Sequence, residues 1–197
     1  MTKRRSARVH RQTKETDVRI ELCLDGRGRC DVRTGLPFLD HMIELLGRHS
    51  LMDLTVKAKG DLKVDYHHTV EDIGLALGAA LDQALGKRAG IRRYGASEIP
   101  MDEALTRVAL DLGGRPCLVK AMACRKRRIL DFDLSLFDDF FQALVVQARL
   151  NLHIDQVRGD EAHHAWESVF KALARALRAA CELDPRERGV PSSKGTL

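Results

Sequence analysis

The chain has 197 residues, 33 Lys+Arg against 28 Asp+Glu for a formal charge of +5, with 44% hydrophobic and 31% charged residues. This is ordinary globular composition, long enough for a core without disulfide staples, and it excludes wholesale disorder. No apolar run approaches the roughly 18 residues of a membrane span.

The start, MTKRRSARVHRQTKETD, is basic but lacks the apolar stretch of a secretory signal, so none is expected. Five cysteines (Cys23, Cys30, Cys117, Cys124, Cys181) without a C-x-x-C fit a reducing cytoplasm and exclude a cysteine-built zinc site. Lys3, Arg4, Arg5, Arg8 and Arg11 read as a solvated arm, and Arg125-Lys126-Arg127-Arg128 as a solvated loop. Only 5% of residues are aromatic and none interleaves with these clusters, so a base-stacking platform for nucleic acid is not expected.

Asp17–Leu24 alternates, with Val18, Ile20, Leu22 and Leu24 on one face, and predicts a half-buried strand ending at the turn Asp25-Gly26. Pro37–His49 carries Phe38, Met42, Leu45 and Leu46 at helical spacing, with Pro37 near its start. Leu54–Ala58 and Leu62–Tyr66 alternate around Lys59-Gly60-Asp61 and predict a hairpin. Glu71–Leu85 reads as a helix stopped by Gly86. Ala104–Leu112 and Cys117–Cys124 are strand-like and divided by Gly113-Gly114. Leu136–Ala148 predicts a helix, Leu150–Val157 a strand, and His163–Leu183 a long amphipathic helix. The tail from Val190 to Gly195 is too rich in turn formers to extend it.

This order repeats. His67-His68-Thr69-Val70-Glu71 returns 96 residues later as His163-His164-Ala165-Trp166-Glu167. Asp40-His41-Met42-Ile43 returns 98 residues later as Asp138-Asp139-Phe140-Phe141, and Gly60-Asp61 returns 99 residues later as Gly159-Asp160. The expected fold class is α+β by internal duplication: residues 1–95 form a first unit with the basic arm, and residues 96–197 a second unit with the tail.

On a helix, residues four apart share a face while adjacent ones differ by about 100°. His67 and Glu71 therefore point together and His68 elsewhere, and likewise His163 and Glu167 leave His164 apart. Each motif offers two ligands to one ion and a single imidazole to another. Crossing the motifs gives two similar sites, His67 and Glu71 with His164 of a second motif, and His163 and Glu167 with His68. His41 is the best extra imidazole for one, and its repeat counterpart Asp139 serves the other. Imidazole plus carboxylate without thiolate suits Mn, Fe, Co or Zn, and a six-coordinate site with room for substrate favours Mn. One His-His pair alone reads equally well as a helix-end accident; two copies at matching positions make the motif specific. His49, closing a helix where positive charge suits the macrodipole, and His153, on a strand, read as structural, and His10 receives no role.

These residues resemble the imidazoleglycerol-phosphate dehydratase family. The matches are Arg11-x-Thr13-x-Glu15-Thr16, Leu24-Asp25-Gly26-x-Gly28, Phe38-x-Asp40-His41-Met42 and His67-His68-Thr69-Val70-Glu71-Asp72. They continue with Gly90-Ile91-x-Arg93, Pro100-Met101-Asp102-Glu103, Gly114-Arg115-Pro116, His163-His164-x-x-Glu167-x-x-x-Lys171 and Pro191-Ser192-Ser193-Lys194-Gly195. The resemblance implies two units of roughly four-stranded mixed sheet packed by two helices, similar to ribosomal protein S5 domain 2. It implies two Mn(2+) per active site, with other divalent metals possible, each ion taking ligands from different subunits of a 24-subunit cytoplasmic homo-oligomer. It also implies loss of water from imidazoleglycerol phosphate to give imidazoleacetol phosphate, in histidine biosynthesis. Some members carry histidine where this chain has Asp139.

The expected catalytic set is Glu15, His41, Glu71 and Glu167. Glu15 is the leading proton shuttle, because the resemblance puts it at the substrate while Glu71 and Glu167 are committed to metal. Arg93, Arg115, Lys171, Ser193 and Lys194 match phosphate-contacting positions, and backbone N–H groups around Ser192-Ser193 suit a small anion nest. The competing readings are turn arginines with solvated heads, an i,i+4 pair of Lys171 with Glu167, and a solvated Glu15 beside Lys14. A Ser193-Lys194 nucleophile is disfavoured, since adjacent residues on a turn rarely bring that nitrogen onto the hydroxyl. Two other functions compete: a metal-binding assembly without catalysis, which needs neither Glu15 nor the arginines, and a nucleic-acid binder using the basic arm. Neither nucleic acid nor membrane is expected as a partner.

Overall fold

A computed structural model describes residues 4–196; Lys3 of the basic arm lies outside them. The elements are β1 (Ser6–Gln12), β2 (Thr16–Cys23), β3 (Cys30–Arg33), α1 (Pro37–Ser50), β4 (Asp53–Gly60) and α2 (His67–Leu85), followed by β5 (Tyr94–Met101), β6 (Ala104–Asp111) and β7 (Cys117–Met122). The short pair β8 (Arg128–Ile129) and β9 (Phe132–Asp133) precedes α3 (Leu136–Ala148), β10 (Asn151–Arg158) and α4 (Ala162–Cys181).

Two four-stranded sheets result, ordered β1-β2-β4-β3 and β5-β6-β10-β7. In each, the first three neighbours pair antiparallel and the last strand joins parallel. Strand for strand the second sheet copies the first, so the α+β fold is built from a duplicated unit with mixed sheets and paired helices. β2 and β6 bury alternate residues in the same rhythm, Val18, Ile20 and Leu22 in one, Thr106, Val108 and Leu110 in the other.

Three expectations change. The arm is not a solvated tail: Ser6–Gln12 pairs along β2, and His10 there bonds Asp17 at 2.8 Å. Leu62–Tyr66 is a turn rather than a strand, and the partner of β4 on that side is the four-residue β3. β5 was not expected at all. His153 also moves. Its strand neighbours Leu152 and Ile154 are buried, so the period of two turns it out to solvent instead of into the core.

The helices pack across the units, α2 on α3 and α1 on α4. Gly74 and Gly78 allow the first contact: a Cβ on either would sit 2.6 Å from a carbonyl oxygen of α3, at Phe140 and Leu144. Phe137, Phe140, Phe141, Trp166 and Phe170 fill the space between α3 and α4. Arg88, 2% exposed, joins the ends of three elements. Its guanidinium donates to the carbonyls of Leu112, Ala148 and Arg149 and to Asp82, which caps the otherwise unpaired end of α3.

Candidate metal centre

Both His-His-x-x-Glu motifs fall in the first turn of a long helix, α2 or α4. The cross-unit packing delivers a side chain from the partner helix to each. On α4, His163 Nε2 lies 3.1 Å from Glu167 Oε1, and His41 of α1 brings its Nε2 to 2.7 Å from the same oxygen. One ligand atom from each of these three residues fits within a 4.8 Å span, the one such group among the described residues. Phe38 packs edge-on to the His163 ring, centroids 5.6 Å apart, and closes one side. Burial raises the Glu167 carboxyl, but hydrogen bonds from Lys171, His41 and His163 outweigh it and bring the pKa down to about 2. Glu167 therefore stays anionic, and two imidazole nitrogens converge on it. That donor set, nitrogen and oxygen without sulfur, fits a divalent first-row ion.

The first unit carries the looser counterpart. His67 Nε2 stands 3.9 Å from Glu71 Oε2, and Asp139 of α3 holds His67 Nδ1 at 3.2 Å. The structure thus brings His41 to the His163/Glu167 pair and Asp139 to the His67/Glu71 pair.

His68 and His164 lie outside these groups. His68 Nδ1 is 3.0 Å from Asp61 and 3.9 Å from Glu15. His164 Nδ1 is 2.8 Å from Glu103 and 3.9 Å from Glu161. These carboxylates raise both imidazoles, the hydrogen bond that His68 donates to Asp61 leading at His68 and the one that His164 donates to Glu103 leading at His164. A metal taking either ring must displace a proton. Metal affinity is therefore expected to fall by about tenfold per pH unit, for each proton displaced, as pH drops below the raised imidazole pKa values. Titration of Mn into the metal-free protein at a series of pH values checks this.

Glu15 stands on the β1–β2 turn. Thr13 Oγ1 accepts the N–H groups of Glu15 and Thr16 at 3.1 and 3.0 Å, and Arg11 and Thr16 both reach buried Asp72 of α2. The Arg-x-Thr-x-Glu-Thr pattern is thus a braced turn that presents an exposed Glu15 near His68, and the solvated-charge reading of it describes only the carboxyl. Asp72 carries this anchor and was missed, although it closes the His-His-Thr-Val-Glu-Asp match.

The phosphate candidates separate within the chain. Arg93 is no solvated turn residue: it pairs bidentately with Asp111 at 2.7 and 3.0 Å and donates to the Pro191 carbonyl at 2.8 Å. It thereby holds the tail, where Ser192 Oγ accepts the Lys194 N–H at 3.2 Å and Ser193 and Lys194 are exposed. Arg115 is exposed, and its carbonyl accepts from Asn151 at the same sheet end. Lys171 instead pairs with Glu167, as its helical spacing allowed. The Arg93 N–H bonds Ala180, nine residues further along α4, about 14 Å away at helical rise. His49 also departs from expectation. Burial first, then Lys171 and Arg175 nearby, lower its pKa, which works against a positive charge at the helix end.

Two like units pooling histidines and carboxylates from four helices define a class, a duplicated α+β protein with a histidine–carboxylate centre. A sequence model described as imidazoleglycerol-phosphate dehydratase matches residues 34–177. The chain is 54% identical over 194 residues to the imidazoleglycerol-phosphate dehydratase of Acidithiobacillus ferrooxidans, covering 98% of each chain. It is 55% identical over 194 residues to that of Paracoccus denitrificans, covering 98% of this chain and all of the relative. Among solved structures, the Staphylococcus aureus dehydratase matches with a TM-score of 0.82 at 37% identity, over 91% of this chain and 99% of its own. The Pyrococcus furiosus structure matches with a TM-score of 0.82 at 34% identity, over 96% and 100%. The chain belongs to the imidazoleglycerol-phosphate dehydratase family. It is an enzyme, a hydro-lyase of histidine biosynthesis. None of its described helices is long and apolar enough to cross a membrane.

Proposed function

We propose that the chain converts D-erythro-imidazoleglycerol phosphate to imidazoleacetol phosphate with two divalent ions per active site, manganese first among them. The observation that carries this reading is the meeting of His41, His163 and Glu167 from helices of both units. The second ion falls to His67, Glu71 and Asp139. His68 and His164, held apart on other carboxylates, are the ligands left to complete these shells. In this reading they do so in a neighbouring copy, His68 at the His163/Glu167 site and His164 at the His67/Glu71 site. The split of the phosphate candidates supports the same arrangement, since within one chain Lys171 and the Arg93–tail group are anchored about 14 Å apart along α4. The 24-subunit assembly follows from the family resemblance, and the cytoplasm from that resemblance and the unpaired cysteines.

Two bound divalent ions, one held by His41, His163 and Glu167 and the other by His67, Glu71 and Asp139, would supply Lewis-acid polarisation of the substrate's imidazole ring and fix its orientation. The chain's own residues do the rest. Glu15 moves the proton from the carbon next to the departing hydroxyl. Arg93, Arg115, Lys171 and the tail from Ser192 to Lys194 hold the phosphate through planar forks, an ammonium and backbone N–H groups. Stripping the protein with chelator and restoring Mn, while following assembly size and imidazoleacetol phosphate formation, tests the reading. Activity is expected to vanish and return with metal, with assembly size changing alongside. A stripped protein that stays fully assembled and active contradicts it.

A further inference from the structure

The repeat aligns Glu103 with Glu15. Each immediately precedes the first residue of its unit's second strand, Ala104 of β6 or Thr16 of β2, and those strands share a burial rhythm. Their engagement differs. Glu103 Oε2 lies 2.8 Å from His164 Nδ1, and its Oε1 accepts the Glu161 N–H at 3.3 Å. Glu161 in turn caps α4 by accepting the His164 N–H at 2.8 Å. In the first unit Asp61 takes the corresponding hold on His68 Nδ1 at 3.0 Å, and Glu15 stands back at 3.9 Å.

An ionised carboxylate only accepts, so the proton between Glu103 and His164 belongs on Nδ1 and the lone pair stays on Nε2. Asp102 is the other charged group facing Nε2, and at 3.7 Å it lies beyond hydrogen-bond reach. We propose that Glu103 is a positioning residue that fixes His164 as its Nδ1–H tautomer, leaving Nε2 to ligate metal. Asp61 does the same for His68, which releases Glu15 from that duty and frees it for proton transfer. Carboxylates behind ligating histidines commonly act this way. The proposal rests on His164 being a metal ligand, as argued above.

Nitrogen-15 spectra of histidine-labelled, metal-free protein, combined with Mn titration, test it. Wild-type His164 is expected as Nδ1–H in its neutral form. Glu103→Ala should mix the tautomers and weaken Mn binding roughly ten- to a hundredfold, with Glu103→Gln, which keeps an acceptor oxygen, recovering most of the loss. Wild-type His164 found as Nε2–H overturns the proposal, whether or not the alanine variant folds. So does a Glu103→Ala protein with unchanged tautomer or unchanged affinity. Wild-type protein that binds no Mn defeats the metal reading instead, while the spectra still decide whether Glu103 holds His164.

Discussion

Replacing His163 by alanine is expected to remove one metal ion per subunit and lower turnover by at least about a thousandfold, some 4 kcal/mol of barrier. His163 is one of three donors that share a 4.8 Å span, and among the described residues its Nε2 pairs with Glu167 alone. Without it the proposed shell of four protein ligands, His41, His163, Glu167 and a neighbouring copy's His68, falls to three and loses the imidazole that shares a helix face with Glu167, which weakens its hold on a divalent ion. The fold loses little, because the His163 side chain is 45% exposed and its main apolar contact is the edge of Phe38. Metal content, turnover and melting temperature of the metal-free protein, measured together, separate these effects. An unchanged metal content would remove His163 from the site.

Glu15→Gln should lower turnover more than a hundredfold, the usual contribution of general acid–base catalysis, with metal content spared. The physical case is its isolation. Thr13, Arg11, Thr16 and Asp72 build the turn beneath it, yet among the described residues its own carboxyl comes nearest to a charged partner at His68, 3.9 Å away. A group so exposed contributes little to folding, so an amide in its place changes proton transfer and not the scaffold. Equal loss of metal and rate would assign Glu15 to structure.

How much of this was legible in the sequence depended on how local the signal was. Leu136–Ala148 was bounded correctly at both ends, because its apolar face and its strand neighbour are written in adjacent residues. β2 declared itself through strict alternation. β1 did not. Its outward positions carry Arg8 and His10, and its inward ones only Ala7, Val9 and Arg11, so charge concealed an edge strand that β2 pairs with along its length. β3 has four residues, too few for a period. Leu62–Tyr66 alternated as well as a strand does but found no neighbour to pair with.

The same distinction holds at the site. Helical spacing alone separated His67 from His68 and His163 from His164. The repeat paired His41 with Asp139, and the structure sends these to opposite helix pairs. Asp72 and Glu103 escaped notice because their partners are set by packing: Arg11 is 61 residues from Asp72, and Glu103 reaches His164 across 61 residues. Lone carboxylates near turns carry no period that reveals such bonds.

The central claim is that each ion is gripped by more than one copy of the chain. Co-assembling His163→Ala with His68→Ala subunits measures it directly. Each variant alone spoils every shared site. In mixed assemblies the intact His163/Glu167 face of one variant meets the intact His68 of the other, so part of the activity and metal content is expected to return. Mixed assemblies as inactive as either variant alone would show that a single chain holds the whole site.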